Sequence, residues 1–159
     1  MILIIIGILI QATVLTWFDI HHVKPDFILV LVVSVSLLEG SEKGMTFGFL
    51  AGLAEDILCG GMLGLNAFAR TLTGFIIGIF NKNFYNINKI IQSIIAFIST
   101  LLYSGIVYLL LKIFGSNISF SDTFVYILFP GTFYNIILIL ISFPKINKWL
   151  SGELFDSAL

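Results

Sequence analysis

Long apolar segments, separated by only a few charged residues, are the feature that most constrains this chain. Hydrophobic residues occupy 58% of the 159 positions and charged residues occupy 11%, and the mean hydropathy is +1.09. A soluble domain of this length cannot remove so much apolar surface from water. The sequence therefore predicts an integral membrane protein in which residues 1–159 form a single membrane domain.

Charges and turn residues divide the chain into six apolar segments. A helical span needs about 20 residues, and backbone polar groups at membrane depth must be bonded within the protein. No segment shows the two-residue alternation of a barrel strand. The second and third segments are short, so five spans with one re-entrant segment is an alternative. We predict an all-α polytopic bundle of about six transmembrane helices, over residues 1–18, 26–38, 44–59, 63–80, 90–114 and 124–143.

The lysines are distributed unevenly between the two ends of this predicted bundle. With six spans, one end carries Lys43, Lys82, Lys89, Lys145 and Lys148. The other end carries only Lys24 and Lys112. Because lysine-rich ends of membrane proteins face the cytoplasm, this distribution predicts that both termini are cytoplasmic.

Several classes of function lack support in the sequence. The net charge is −1 and there is no basic run, so nucleic acid is not an expected partner. Cys59 is the single cysteine, which excludes a disulfide or a multi-cysteine metal site within one chain. No HExxH motif, nucleophile-and-base pattern or phosphate-binding loop is present. We therefore predict no enzyme activity and no catalytic, metal or cofactor site.

Two consecutive segments each carry a stripe in which glycines and one charged residue recur every fourth position. Residues four apart lie on the same face of a helix, and in lipid a stripe of small residues marks a surface where helices approach closely. We predict a tightly packed hairpin whose glycine face is also a candidate partner-binding surface. The stripes are formed by Gly44, Gly48, Gly52 and Asp56 and by Arg70, Gly74 and Gly78.

Glu55, Asp56 and Arg70 form a candidate charge cluster within this hairpin. At 1.5 Å per residue, Asp56 lies about 6 Å from the turn and Arg70 about 10 to 12 Å from it. Their side chains lean toward each other in an antiparallel pair, and pairing removes much of the cost of a charge in the bilayer. We hypothesise that Asp56, with Glu55 as a further candidate, pairs with Arg70 as a structural clasp. A proton or substrate relay is the alternative.

The first half of the chain also contains an ordered set of motifs, which comprises Gln11, Pro25-Asp26, Glu39-Gly40, Gly48-Phe49-Leu50-Ala51-Gly52-Leu53, Asp56, Gly61 and Leu63-Gly64-Leu65-Asn66-Ala67. In order and spacing this set resembles the MreD family of rod-shape-determining membrane proteins. The resemblance implies that its matching positions shape the hairpin and are candidate partner-facing residues. These positions are Pro25, Asp26, Gly48, Gly52, Asp56, Gly61, Gly64 and Asn66.

The resemblance implies more than the composition does. MreD-like proteins are similar in fold to the substrate-binding membrane component of energy-coupling-factor vitamin transporters. The resemblance also implies a non-catalytic scaffold of the cell-wall elongation machinery in the bacterial cytoplasmic membrane, without a cofactor. The implied partners are an MreC-like bitopic protein and, indirectly, the MreB filament, a RodA-type glycosyltransferase and a class-B penicillin-binding protein.

The shared fold also provides an alternative function, in which the chain is the substrate-binding membrane subunit of a vitamin transporter. Such a pocket needs convergent polar groups, which Asn66, Glu55, Asp56 and Arg70 could supply. The scarcity of polar residues in the last two segments argues against this alternative.

Overall fold

The computed structural model describes residues 7, 11, 25–59, 62–80, 88–115 and 129–150. These residues contain five helices and no strand, so the all-α prediction is confirmed for this part of the chain. The predicted first span, over residues 1–18, lies outside the described residues except for Gly7 and Gln11, and Lys24, Gly61 and Lys82 also lie outside them. The helices are α1 (Phe27–Glu39), α2 (Ser41–Cys59), α3 (Leu65–Ile79), α4 (Lys89–Ile113) and α5 (Phe129–Leu150).

Two helices extend beyond the apolar segments that predicted them. Helix α2 begins at Ser41 rather than at residue 44, and α5 continues to Leu150 rather than ending at residue 143. The added turns carry exposed lysines, among them Lys43, which forms an ion pair with Glu39 at the end of α1. Hydropathy identifies the part of a helix that contacts apolar surroundings, whereas backbone hydrogen bonding continues into the polar ends.

Helix α1 lies at the centre of the described bundle. Residues 28–37 are all buried, and α1 contacts each of the other four helices. Its first turn is capped by Asp26, whose side chain accepts a hydrogen bond from the Leu29 N–H at 2.8 Å. Ser34 and Ser36 donate to backbone carbonyls one turn earlier, at 2.7 and 2.6 Å. The polar groups of this central helix are therefore satisfied locally, as burial requires.

The core has two parts, both built around α1. The larger joins α1 to α3, α4 and α5 through Leu29, Val30, Val33, Leu37, Ile77, Ile95, Ala96, Ile139 and Phe143. The smaller joins α1 to α2 through Ile28, Val32 and Ala51. Helix α1 therefore connects the α2–α3 hairpin to the α4–α5 pair.

The glycine stripes of α2 and α3 face each other. A Cβ added to Gly52 would lie 2.5 Å from the Ala67 Cα, and one added to Gly48 would lie 2.6 Å from the Arg70 carbonyl oxygen. Similarly, a Cβ on Gly74 would lie 2.5 Å from the Gly44 carbonyl oxygen. The same close approach joins Gly78 to Ser41 and Gly44 to Ser36. Backbone therefore contacts backbone along the hairpin, and any larger residue in the stripe would separate the helices.

Among the described helices, α4 alone combines the length and the apolar composition needed to cross a bilayer. Helices α1 and α3 are apolar but shorter. Two contacts show that α4 and α5 run antiparallel. Thr100 bonds to Asn135. Earlier residues of α4, Ile95 and Ala96, pack in one cluster with later residues of α5, Ile139 and Phe143. The predicted six spans therefore correspond to one clear candidate span and four further helices in this part of the chain.

Candidate functional site

The centre of the site is Arg70, which projects from the second turn of α3 and is fully buried. Its Nη2 donates to both carboxylate oxygens of Asp26, each at 2.9 Å. Its Nη1 forms an ion pair with Glu55 Oε2 on α2. Both carboxylates are themselves largely buried, with exposed side-chain fractions of 19% for Asp26 and 12% for Glu55. One guanidinium therefore bridges two acids from different parts of the bundle. From here on, the charge cluster means Asp26, Glu55 and Arg70 together with Tyr103, which contacts Arg70 from α4.

Helix α4 contributes the aromatic side of the charge cluster. The Arg70 guanidinium carbon lies 5.3 Å from the centroid of the Tyr103 ring, which is within the range of a cation–π contact. The Tyr103 hydroxyl donates to Asn66 Oδ1 at 2.6 Å. Tyr103 thus contacts α3 at two points, one through the ring face and one through the hydroxyl.

Two amide side chains, those of Gln11 and of Asn135 on α5, make further contacts with the acids of the charge cluster or their backbone. Gln11 Nε2 donates to Glu55 Oε1 at 2.8 Å, while Gln11 Oε1 accepts from the Ile28 N–H at 3.1 Å. On α5, Asn135 Oδ1 accepts from the Asp26 N–H at 3.0 Å, and its Nδ2 donates to Thr100 Oγ1 at 3.1 Å. Each amide group both donates and accepts a hydrogen bond, so the side chains of Gln11 and Asn135 are each held in one orientation.

Asp56 does not belong to this cluster. Its carboxylate accepts from the backbone N–H groups of Gly64 at 2.9 Å, Ala67 at 3.1 Å and Asn66 at 3.3 Å. These groups lie at the N-cap and in the first turn of α3, where N–H groups have no partner within the helix. Asp56 therefore caps α3 from the neighbouring helix, and a carboxylate at this position is also favoured by the helix dipole.

The hypothesis that Asp56 pairs with Arg70 is therefore wrong, and the register of the hairpin gives the reason. Gly48 lies opposite Arg70 and Gly52 lies opposite Ala67. By this antiparallel register Asp56, one turn beyond Gly52, lies level with the residues that immediately precede α3. The unpaired N–H groups at the start of α3 are closer to Asp56 than the guanidinium is. Glu55, the further candidate, contacts Arg70 as described above.

The structure gives the other predicted positions distinct surroundings. Gly64 has φ +93°, in the left-handed region that favours glycine, and it precedes α3. Asn66 contacts Tyr103, Gln11 contacts Glu55, and Pro25 is buried beside Asp26. The sequence did not identify Tyr103, Thr100 and Asn135, although each is a polar side chain within an otherwise apolar segment, which was the available signal.

The carboxylate oxygens of the three acids all have partners within the chain. Asp26 and Glu55 bind Arg70, Glu55 also binds Gln11, and Asp56 binds backbone N–H groups. In the residues that the structure covers, no three His, Cys, Asp or Glu side chains are placed to hold a metal ion. The arrangement is therefore suited to fixing the relative positions of helices.

An apolar groove lies where the start of α3 faces the end of α4. Its volume is about 440 Å³. Helix α4 has 25 residues and α3 has 15, and the described lining residues come from the α2–α3 turn, the start of α3 and the last residues of α4 and its C-cap. The lining residues are Met62, Leu63, Gly64, Leu65, Phe68, Leu110 and Phe114.

In the part of the chain that the structure describes, the fold and site define a helical bundle in which a buried arginine connects several helices. A family model described as rod shape-determining protein MreD matches residues 1–151 of the chain. The chain therefore belongs to the MreD family, a family of membrane proteins that determine rod shape, and the resemblance found in the sequence is confirmed. This match does not favour the vitamin-transporter alternative. Neither a curated protein nor a solved structure matches the chain significantly.

Proposed function

We propose that this protein is a non-catalytic membrane scaffold of the bacterial cell-wall elongation machinery. The family match over residues 1–151 supports a role in determining rod shape. The proposal extends that role to assembly: the chain holds other components of the machinery in place rather than transforming a substrate. It includes a fold similar to the substrate-binding component of energy-coupling-factor transporters, with about six transmembrane helices.

The observation that carries the proposal is the internal pairing of the buried charges. A catalytic or ligand-binding cluster needs groups that can engage a substrate. Here Arg70 is enclosed by Asp26, Glu55 and Tyr103, and the Asp56 oxygens accept from the backbone. Ionisable groups with this pairing support a structural role, in which they hold the helices of a scaffold together.

We propose an MreC-like bitopic protein as the direct partner. The MreB filament, a RodA-type glycosyltransferase and a class-B penicillin-binding protein are proposed as indirect partners. Because the glycine faces of α2 and α3 pack against each other, we propose that these glycines affect a partner indirectly, by fixing the shape of the hairpin. A partner helix then binds a different face of the bundle.

The proposed location is the bacterial cytoplasmic membrane, with several spans and both termini in the cytoplasm. The lysine distribution supports this orientation, because Lys43, Lys89, Lys145 and Lys148 share one end of the bundle. The charge cluster and the α3–α4 groove then belong to the outer half of the membrane. Accessibility of single cysteines introduced at Lys89 and Lys112 to an impermeant thiol reagent tests the orientation in a Cys59→Ser background.

Affinity purification of the tagged full-length chain from its own bacterium tests the scaffold. We expect a bitopic coiled-coil protein of the MreC type to co-purify in stoichiometric amount, and to remain bound after a high-salt wash. A matched preparation of an unrelated polytopic membrane protein serves as the control. A chain that purifies without protein partners but with a tightly bound small molecule would contradict the scaffold and support the vitamin-binding alternative.

A further inference from the structure

A set of lysines at one end of the α4–α5 pair is not explained by the charge cluster or by the proposed partners. Lys89 begins α4, while Lys145 lies near the end of α5, and both are exposed. Helices α4 and α5 contain no acidic residue in their sequences. Lys89 and Lys145 form what we call the lysine patch.

The register of the antiparallel pair brings the lysine patch together. Thr100 on α4 bonds to Asn135 on α5. Because the two helices are antiparallel, each residue toward the N-terminus of α4 is level with one residue further toward the C-terminus of α5. Lys89 is therefore level with Ile146, the residue next to Lys145. At about 1.5 Å per residue the two lysines differ by only a few ångströms along the bundle axis, and packed helices have axes about 8 to 10 Å apart.

The N-terminus of α4 adds positive electrostatic potential beside the lysine patch. Asn88 occupies the N-cap position of α4 and makes no side-chain capping bond, and no acid lies in the first turn. The start of a helix carries a partial positive charge. By contrast, Lys43 at the same end of the bundle is ion-paired with Glu39, and Lys112 at the opposite end lies 5.9 Å from the Tyr108 ring centroid.

The surface adjoining the lysine patch is apolar. On α5, Ile141 lies one turn from Lys145 on the same face and is 56% exposed. On α4, Ile90 and Ile94 follow Lys89 and are 68% and 51% exposed. A cationic border above an exposed apolar face complements a molecule with an anionic head and hydrocarbon chains, whereas a free phosphate ion would use only the cationic border.

We propose that the lysine patch binds the headgroup of an anionic phospholipid whose acyl chains lie along Ile90, Ile94 and Ile141. The bound lipid fixes the α4–α5 end at the membrane surface and gives the protein a preference for anionic lipid. This inference rests on charge and placement, and it does not depend on the role in cell shape.

Native mass spectrometry of the detergent-solubilised full-length protein tests the proposal with phosphatidylglycerol and phosphatidylcholine of identical acyl chains. The wild type should bind phosphatidylglycerol more tightly. Removing a lysine near an anionic lipid surface weakens binding about fivefold, so Lys89→Gln/Lys145→Gln should lose about 25-fold for phosphatidylglycerol and little for phosphatidylcholine. The matched control, Lys43→Gln/Lys112→Gln, removes the same net charge and should bind within about twofold of the wild type.

Three results would overturn the proposal. The first is equal binding of the two lipids by the wild type. The second is a loss in Lys43→Gln/Lys112→Gln as large as that in Lys89→Gln/Lys145→Gln, which would indicate a general effect of charge. The third is displacement of phosphatidylglycerol by millimolar inorganic phosphate, which would indicate a simple anion site. A thermal unfolding curve for each variant confirms that the protein compared is folded.

Discussion

Arg70 illustrates how a single side chain organises this bundle. A guanidinium has five donors in a planar fork, and here it engages Asp26 from the start of α1, Glu55 from α2 and the Tyr103 ring from α4. Through hydrogen bonds of Asp26 and Glu55 it is linked to Asn135 on α5 and to Gln11. Lysine has neither the fork nor the planar face that these contacts use.

The sequence predicted that Arg70 would be paired but not which acid would pair with it. Glu55 and Asp56 are adjacent in the sequence and lie on different faces of α2, so one faces Arg70 and the other faces the start of α3. Asp26 is separated from Arg70 by 44 positions. Only the packing of α1 beside α3 brings these two residues together, and no local pattern encodes that packing.

Replacing Arg70 tests the charge cluster. Arg70→Gln leaves two largely buried carboxylates facing each other without a cation, and breaking a buried pair in this way costs about 3 to 5 kcal/mol. We expect a correspondingly lower free energy of unfolding in detergent, measured by denaturant titration. Asp56→Asn is the comparison, because loss of a capping carboxylate costs only about 1 kcal/mol. An Arg70→Gln protein as stable as the wild type would contradict the cluster.

The Tyr103 hydroxyl permits a finer test. Tyr103→Phe keeps the ring over Arg70 and removes the hydroxyl that donates to Asn66, so the expected loss is about 1 kcal/mol. A double-mutant cycle with Asn66→Ala isolates that bond, since the second substitution should cost little once the first is present. Additive losses in the double variant would show that the two side chains are not coupled.

At the scale of the elements, the hairpin is the part that the sequence predicted best. The four-residue spacing of glycines indicated a close helix pair, and the stripes of α2 and α3 do face each other. Helix ends were less predictable, because Glu42 and Lys43 precede the apolar segment over residues 44–59 but already belong to α2. The cap of α3 by Asp56 was missed because it depends on the register between two helices.

A pair of glycine substitutions tests the role of the hairpin. Gly52→Ala places a methyl group 2.5 Å from the Ala67 Cα, and separating the helices to admit it should cost about 1 to 3 kcal/mol. Gly105 on α4 is the matched control, because a Cβ there meets no atom of another described element within 4 Å. Gly105→Ala should leave stability unchanged or raise it by up to about 1 kcal/mol. Similar thermal midpoints for the two variants would contradict the close packing of the hairpin.

At the scale of the whole molecule, composition was sufficient to predict a membrane protein, and the described residues are helical as predicted. The motifs in the first half of the chain were sufficient to predict the family. The central position of α1 was not predictable, because its sequence resembles any short apolar helix, and only the packing of four other helices around it explains why residues 28–37 are buried. The α3–α4 groove could not be predicted from the sequence either, since it arises from the relative placement of two helices of unequal length.

Cell shape after depletion of this protein is the most direct test of the proposed scaffold. Cell width and length are measured in the native bacterium during depletion, then after expression of the wild-type chain from a second locus. A scaffold of cell-wall elongation predicts wider, rounded cells on depletion and restored rods with the wild type, whether or not vitamins are added to the medium. Cells that keep their rod shape on depletion, or that regain it with vitamins alone, would contradict the account.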